Sequence, residues 1–113
     1  FRQVSRDHSY VEELVARGEL SEAEAQHHPR KNVLLRAVGI EERLHVDGDS
    51  FPLEAGDRLL LATDGLTNMV DDDALASLLG GDFTNVASRM VESALARGGS
   101  DNITAIALAY EMP

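Results

Sequence analysis

The chain has 113 residues, enough for one small domain with a modest core. It contains no cysteine, which excludes disulfides and thiolate metal sites. Its formal net charge of -10 argues against non-specific binding to nucleic acid or to an anionic membrane, since both repel a polyanion.

Residues 1–5 alternate apolar and polar and read as the tail of a strand. Val11, Leu14 and Val15 follow helical spacing, with Ser9 or Asp7 available as the cap and Gly18 as the stop. Ser21-Glu22-Ala23-Glu24 is a capping-box pattern, so a second short helix should start there. It should end near His27-His28-Pro29, because proline disfavours helix in the residue before it. Residues 33–38 suit a strand ending at Gly39, and residues 43–47 alternate as a half-buried strand would. A polar turn over residues 52–57 leads into a strand over residues 58–63. That strand is apolar on both faces, which predicts a central place in a sheet.

Asp71-Asp72-Asp73 should open a helix carrying Leu75, Leu78 and Leu79, closed by Gly80-Gly81. Thr84 or Asn85 should cap the next helix. Its apolar rows are Val86, Met90, Ala94 and, beside them, Ala87, Val91, Leu95. Gly98-Gly99 should end it. The last strand, residues 103–110, has Ile106, Leu108 and Tyr110 on one face and Ile103 with three alanines on the other, so something can pack closely on the small face. Helices, three strands, two helices and a strand make an α+β chain, read here as a single domain over residues 1–113.

Two aspartates stand at strand ends. Asp64 follows the strand in Arg58-Leu59-Leu60-Leu61-Ala62-Thr63-Asp64-Gly65-Leu66, and Asp101 precedes the last one in Gly99-Ser100-Asp101-Asn102-Ile103. Carboxylates at strand ends are a common way of holding a hard metal ion. Each motif alone also suits an ordinary turn. If the strands are antiparallel neighbours, both carboxylates share one sheet edge; if parallel, about 20 Å separates them. The metal reading therefore requires antiparallel neighbours. Asp47-Gly48-Asp49 is not an EF-hand, because Arg58 stands where the twelfth-position glutamate would. The three acids at residues 71–73 suit a helix dipole and need no metal.

These segments resemble the C-terminal half of a bacterial-type PPM (protein phosphatase 2C) metal-dependent Ser/Thr protein phosphatase. The resemblance rests on Ser5-Arg6-Asp7-His8-Ser9, Glu13-Leu14-Val15, His28-Pro29-Arg30-Lys31-Asn32-Val33, Arg36-Ala37-Val38-Gly39, the Gly56 to Leu66 segment and Arg97-Gly98-Gly99-Ser100-Asp101-Asn102-Ile103-Thr104. It implies part of a four-layer α-β-β-α sandwich, with antiparallel sheets flanked by helices. It implies two or three Mn²⁺ or Mg²⁺ ions in the complete domain, and hydrolysis of phosphoserine or phosphothreonine on proteins by a metal-activated water. Asp64 and Asp101 would be metal ligands, with Gly65 and Asn102 in support. Residues 7–32 would correspond to the family's flap, where His8, His28 and Arg30 are candidates for substrate contact. His27-His28-Pro29 better suits a plain helix end. Arg36 would anchor the flap base rather than touch phosphate.

The family's N-terminal features have no counterpart here: a metal-binding acid, an Asp-Gly-x-Gly-Gly segment, a phosphate-binding arginine and a Gly-Asp-Ser-Arg strand. Two carboxylates do not fill an octahedral shell. The chain alone is therefore expected to be inactive, supplying part of the site, and its strands are expected to leave apolar faces uncovered. The missing half, upstream sequence or self-association would cover them. Phe1 stands where a Met would open a gene product, so upstream sequence is expected. No apolar run approaches the roughly 20 residues that cross a bilayer, so the expected setting is cytoplasmic, with phosphorylated proteins as partners and neither nucleic acid nor membrane. The alternative is a non-catalytic binding or regulatory module that keeps the phosphatase fold.

Overall fold

The computed structural model describes residues 1–112. In chain order its elements are α1 (Tyr10–Ala16), α2 (Glu22–Gln26), β1 (Arg58–Ala62), α3 (Asp64–Thr67), α4 (Asp72–Gly80), α5 (Val86–Ala96) and β2 (Ala105–Ala109). They fall into two compact units. Arg2–Ser50 holds α1 and α2; the other unit runs from Phe51 onward, includes Phe1, and holds the rest.

In the second unit β1 and β2 pair antiparallel, with Arg58 opposite Ala109, Leu60 opposite Ala107 and Ala62 opposite Ala105. Side chains alternate across a strand, so each face of this pair has its own composition. Leu60, Ala105 and Ala107 pack with Ile103 against a core of Leu66, Val70, Leu75, Leu79, Val86, Met90 and Ala94. The alanines leave room for α5, which lies against β2. On α5 the row Val86, Met90, Ala94 is buried, while Leu95 of the neighbouring row is 57% exposed. The opposite sheet face is apolar and open: Leu61 and Ile106, a cross-strand pair, are each 53% exposed.

Helix ends follow local chemistry. Asp71 caps α4 by accepting from the Ala74 amide at 2.8 Å, and Asp72 and Asp73 lie in the first turn, where acids favour the helix dipole. The Arg58 guanidinium donates to the carbonyls of Leu79 (2.7 Å) and Gly81 (2.6 Å), satisfying acceptors that the end of α4 leaves open. Asn85 precedes α5 with φ 57° and makes no side-chain capping bond. Asp82 instead accepts from the Thr84 amide at 3.0 Å, and this bond holds its carboxyl below the usual range.

In Arg2–Ser50, Ser9 caps α1 by accepting from the Glu12 amide. Ser21 and Glu24 form the full capping box of α2, and His27 ends that helix. Gly18 takes φ 75° just beyond α1, a left-handed conformation that glycine adopts without strain.

Three strand expectations are corrected. Residues 1–5 form no strand. Residues 33–38 form only isolated bridges, Ser9 with Leu34 and Val38 with Glu41. Residues 43–47 form no strand and are exposed, with Val46 at 74%. Strand propensity records packing on a sheet, and among the described residues none of these segments has a ladder partner. Likewise β1 pairs only with β2 among the described residues, so the expected central place is not seen. Residues 64–67, whose Asp-Gly also suits an ordinary turn, form the short helix α3; Thr63 at its N-cap position and Asp64 in its first turn are the available signals.

Met90→Ala is expected to cost about 2–5 kcal/mol in urea unfolding, because Met90 is fully buried. Leu61→Ala, on the open face, should cost less than about 1 kcal/mol in the same measurement.

Candidate functional site

The β1–β2 ladder ends at Ala62 opposite Ala105, and hydrogen bonding continues past it. The Thr63 amide donates to the Thr104 carbonyl at 3.0 Å, and the Thr104 amide donates back to Thr63 Oγ1 at 3.0 Å. Thr63 Oγ1 also lies 3.4 Å from the Asn102 carbonyl, to which it donates. The chain then turns into α3 on one side and leaves through residues 101–102 on the other. Asp64 and Asp101 thus stand at the same edge of the sheet, both exposed. The antiparallel condition set by the sequence is met.

Gly65 shows how tightly the two loops meet. It is buried, and a Cβ on it would overlap the Asn102 carbonyl oxygen and lie 2.9 Å from the carbonyl carbon. Only a residue without a side chain permits this approach. Asn102 also donates its amide to Asp101 Oδ1 at 2.7 Å, fixing one carboxylate oxygen. The contacts that Asn102 makes with the Asp64–Gly65 turn and with Asp101 run through its backbone, which sequence does not reveal.

Two exposed carboxylates at one rim are the right donor type for a hard divalent cation. Their number leaves the shell incomplete. Among the described residues no group of three or more His, Cys, Asp or Glu could hold a metal ion.

The flap candidates lie in Arg2–Ser50, where they separate into two clusters. His28 meets the Tyr10 ring edge-on at 6.0 Å, and the Arg30 guanidinium lies 5.9 Å from that ring. The Arg30 amide donates to His28 Nδ1 at 3.0 Å, so the neutral ring carries its proton on Nε2. His8 and Arg36 instead converge on Asp47, a residue the sequence did not single out for this role. His8 Nε2 lies 2.7 Å from Asp47 Oδ2, and Arg36 donates to Asp47 Oδ1 at 2.9 Å. Arg36 is also 3.2 Å from His8 Nε2. That nitrogen must carry a hydrogen toward the carboxylate, so it cannot accept from Arg36; the two are donors sharing one anion. His45 is a third neighbour of Asp47, at 3.9 Å. The Arg36 hydrogen bond, then that of His8, holds the Asp47 carboxyl down at about 2.

Comparison with known proteins places these features. The serine/threonine phosphatase Stp of Listeria monocytogenes is 44% identical over 107 residues, which are 93% of this chain and 42% of that protein. The crystal structure of the serine/threonine phosphatase Stp1 from Staphylococcus aureus superposes with a TM-score of 0.90 at 34% identity, over 98% of this chain and 44% of that one. The catalytic domain of the phosphatase PstP, solved in complex with two manganese ions, superposes with a TM-score of 0.72 at 32% identity, over 93% of this chain and 43% of that one. No family model matches. The chain spans less than half the length of the relatives it matches.

The fold is thus part of the α-β-β-α sandwich of a phosphatase class. By sequence and fold this chain is a relative of the bacterial PPM-type serine/threonine phosphatases, consistent with their C-terminal portion.

Gly65→Ala should destabilise the chain by about 1–3 kcal/mol, because the Asn102 backbone must move aside. Gly80→Ala, with nothing within 4 Å, should be neutral or stabilising in the same urea titration. For Asp47 the folded value is depressed, so its contribution to stability is complete above the ordinary carboxylate range, near about 3.9, and is lost as pH falls toward about 2. NMR titration of its carboxyl carbon should place the midpoint near 2, and Arg36→Ala should raise it toward the ordinary value.

Proposed function

We propose that this chain supplies part of the catalytic domain of a metal-dependent protein phosphatase acting on phosphoserine and phosphothreonine. One observation carries the reading: the antiparallel register sets Asp64 and Asp101 at a common rim, with Gly65 pressed onto the Asn102 carbonyl between them. Asp64 and Asp101 would each offer a carboxylate to Mn²⁺ or Mg²⁺. The complete domain would hold two or three such ions. Among relatives, the PstP complex holds two manganese ions. When bound, such ions lower the pKa of coordinated water and offset charge on phosphoryl oxygens.

The chain's own residues hold and orient. The ladder and the Thr63–Thr104 bonds fix the spacing of the two loops. The Asn102 amide keeps one Asp101 oxygen turned inward to its own backbone, leaving the other for a ligand. Residues 7–32 form the flap, and His28 and Arg30 present a donor and a cation toward a phosphorylated protein. His8 and Arg36, engaged with Asp47, shape the base of that flap. We assign both units to one catalytic domain whose remaining ligands come from another part of the parent protein or from a partner chain. The setting is cytoplasmic, with neither membrane nor nucleic acid engaged; among the described residues no helix is long and apolar enough to cross a membrane.

In the complete parent protein, Asp64→Asn and Asp101→Asn should each lower Mn²⁺-dependent hydrolysis of a phosphothreonine peptide by at least about 100-fold, in line with the loss of a metal-bound charge. This chain alone should show no turnover comparable to a complete phosphatase. Full activity in either variant would end the ligand assignment. A parent that is inactive even with both aspartates would favour a non-catalytic module with the phosphatase fold.

A further inference from the structure

The loop that carries Asp101 has little of its own to hold it. Gly98 and Gly99 lead into it with φ 127° and 52°, conformations that glycine adopts freely and that bring no side chain to anchor the chain. Its fixed points come from the element that carries Asp64. At one end, Thr63 Oγ1 engages the loop twice: it accepts from the Thr104 amide at 3.0 Å and donates to the Asn102 carbonyl at 3.4 Å. At the other end, Ser100 Oγ donates to Met69 Sδ at 4.0 Å, and a Cβ on Gly98 would lie 3.8 Å from the same sulfur. Met69 is itself well placed. The Asn68 amide donates to the Asp64 carbonyl at 2.9 Å, the Met69 amide donates to the Leu66 carbonyl at 3.1 Å, and the Met69 side chain packs against the core.

We propose that Thr63 and Met69 are positioning residues that grip the Asp101 loop from both ends and so set where Asp101 stands relative to Asp64. Thr63 directly precedes Asp64 and Asn102 directly follows Asp101, so the hydroxyl joins the immediate neighbours of both carboxylates. Neither positioning residue would touch the ion. Without their hold the glycine-led loop spends less time in the competent position, and apparent metal affinity falls by that fraction. The grip rests on the reading of Asp64 and Asp101 as ligands, and all of its groups lie in the unit that runs from Phe51 onward.

Calorimetric Mn²⁺ titration of the complete parent protein, without substrate, tests the grip. Asp101→Asn first marks which binding step depends on the rim. Thr63→Val keeps the side-chain shape and the Thr63 amide bond to Thr104 but lacks the hydroxyl. It is expected to weaken that step about 10-fold, the low end for groups that orient metal ligands. Thr63→Ser, which restores the hydroxyl, should bind as the unaltered protein does. Met69→Ala should also weaken the step, and Met69→Leu, which keeps the bulk, should largely restore it. Val86→Ala serves as the control for stability: Val86 is buried at the opposite end of α5 from Gly98. It should lower the melting temperature in EDTA and leave Mn²⁺ affinity as it is. Unchanged affinity in Thr63→Val or in Met69→Ala, with binding weakened in Asp101→Asn, would overturn the grip alone. Unchanged affinity in Asp101→Asn would overturn the ligand reading and the grip with it. A Val86→Ala loss as large as that of Thr63→Val would reduce the effect to general destabilisation and overturn the grip as well. If Thr63→Val does not fold, the two Met69 variants decide in the same way.

Discussion

The antiparallel pairing of β1 with β2 is the constraint on which the site depends. A parallel pair with the same strands would put Asp64 and Asp101 at opposite ends. The observed register closes at Ala62 and Ala105 and hands the chain to Thr63 and Thr104, whose reciprocal bonds carry the pairing one residue further. Gly65 then sits against the Asn102 backbone because it has no side chain to keep it away. Fold and site are thus one arrangement: the packing that half-buries Leu60, Ala105 and Ala107 against the core also fixes where the two carboxylates stand.

The same pairing explains what is unfinished. One sheet face meets α5 and the buried row Val86, Met90, Ala94; the other presents Leu61 and Ile106 to solvent. An exposed apolar sheet face of this kind marks a surface that another element covers. The incomplete donor set points the same way, with two carboxylates and no third ligand among the described residues. Both features agree with a chain that spans less than half of its relatives.

Helices and their ends were legible because their determinants are local. Ser9, the Ser21–Glu24 box, Asp71 and the buried α5 row all appear where spacing and capping chemistry place them. Strands 33–38 and 43–47 were misread because alternation describes a surface that needs a neighbour to become a strand. The two aspartates could be picked out as strand-end residues, but their common rim depended on register. The convergence of His8 and Arg36 on Asp47 joins residues 28 and 39 positions apart, and no local pattern carries that information. Asn102 stood out only as part of the Asp101 loop motif, and its contacts, made by the backbone amide and carbonyl, depend on where the two loops meet.

The central claim is that Asp64 and Asp101 form one cation-binding rim. Paramagnetic broadening by substoichiometric Mn²⁺ in a ¹⁵N-labelled sample tests it directly. The account predicts that amides of Gly65 and Asn102 broaden together and first, and that Asp101→Asn abolishes the effect at both. Broadening centred on residues 71–73, or at one of the two loops without the other, would contradict it.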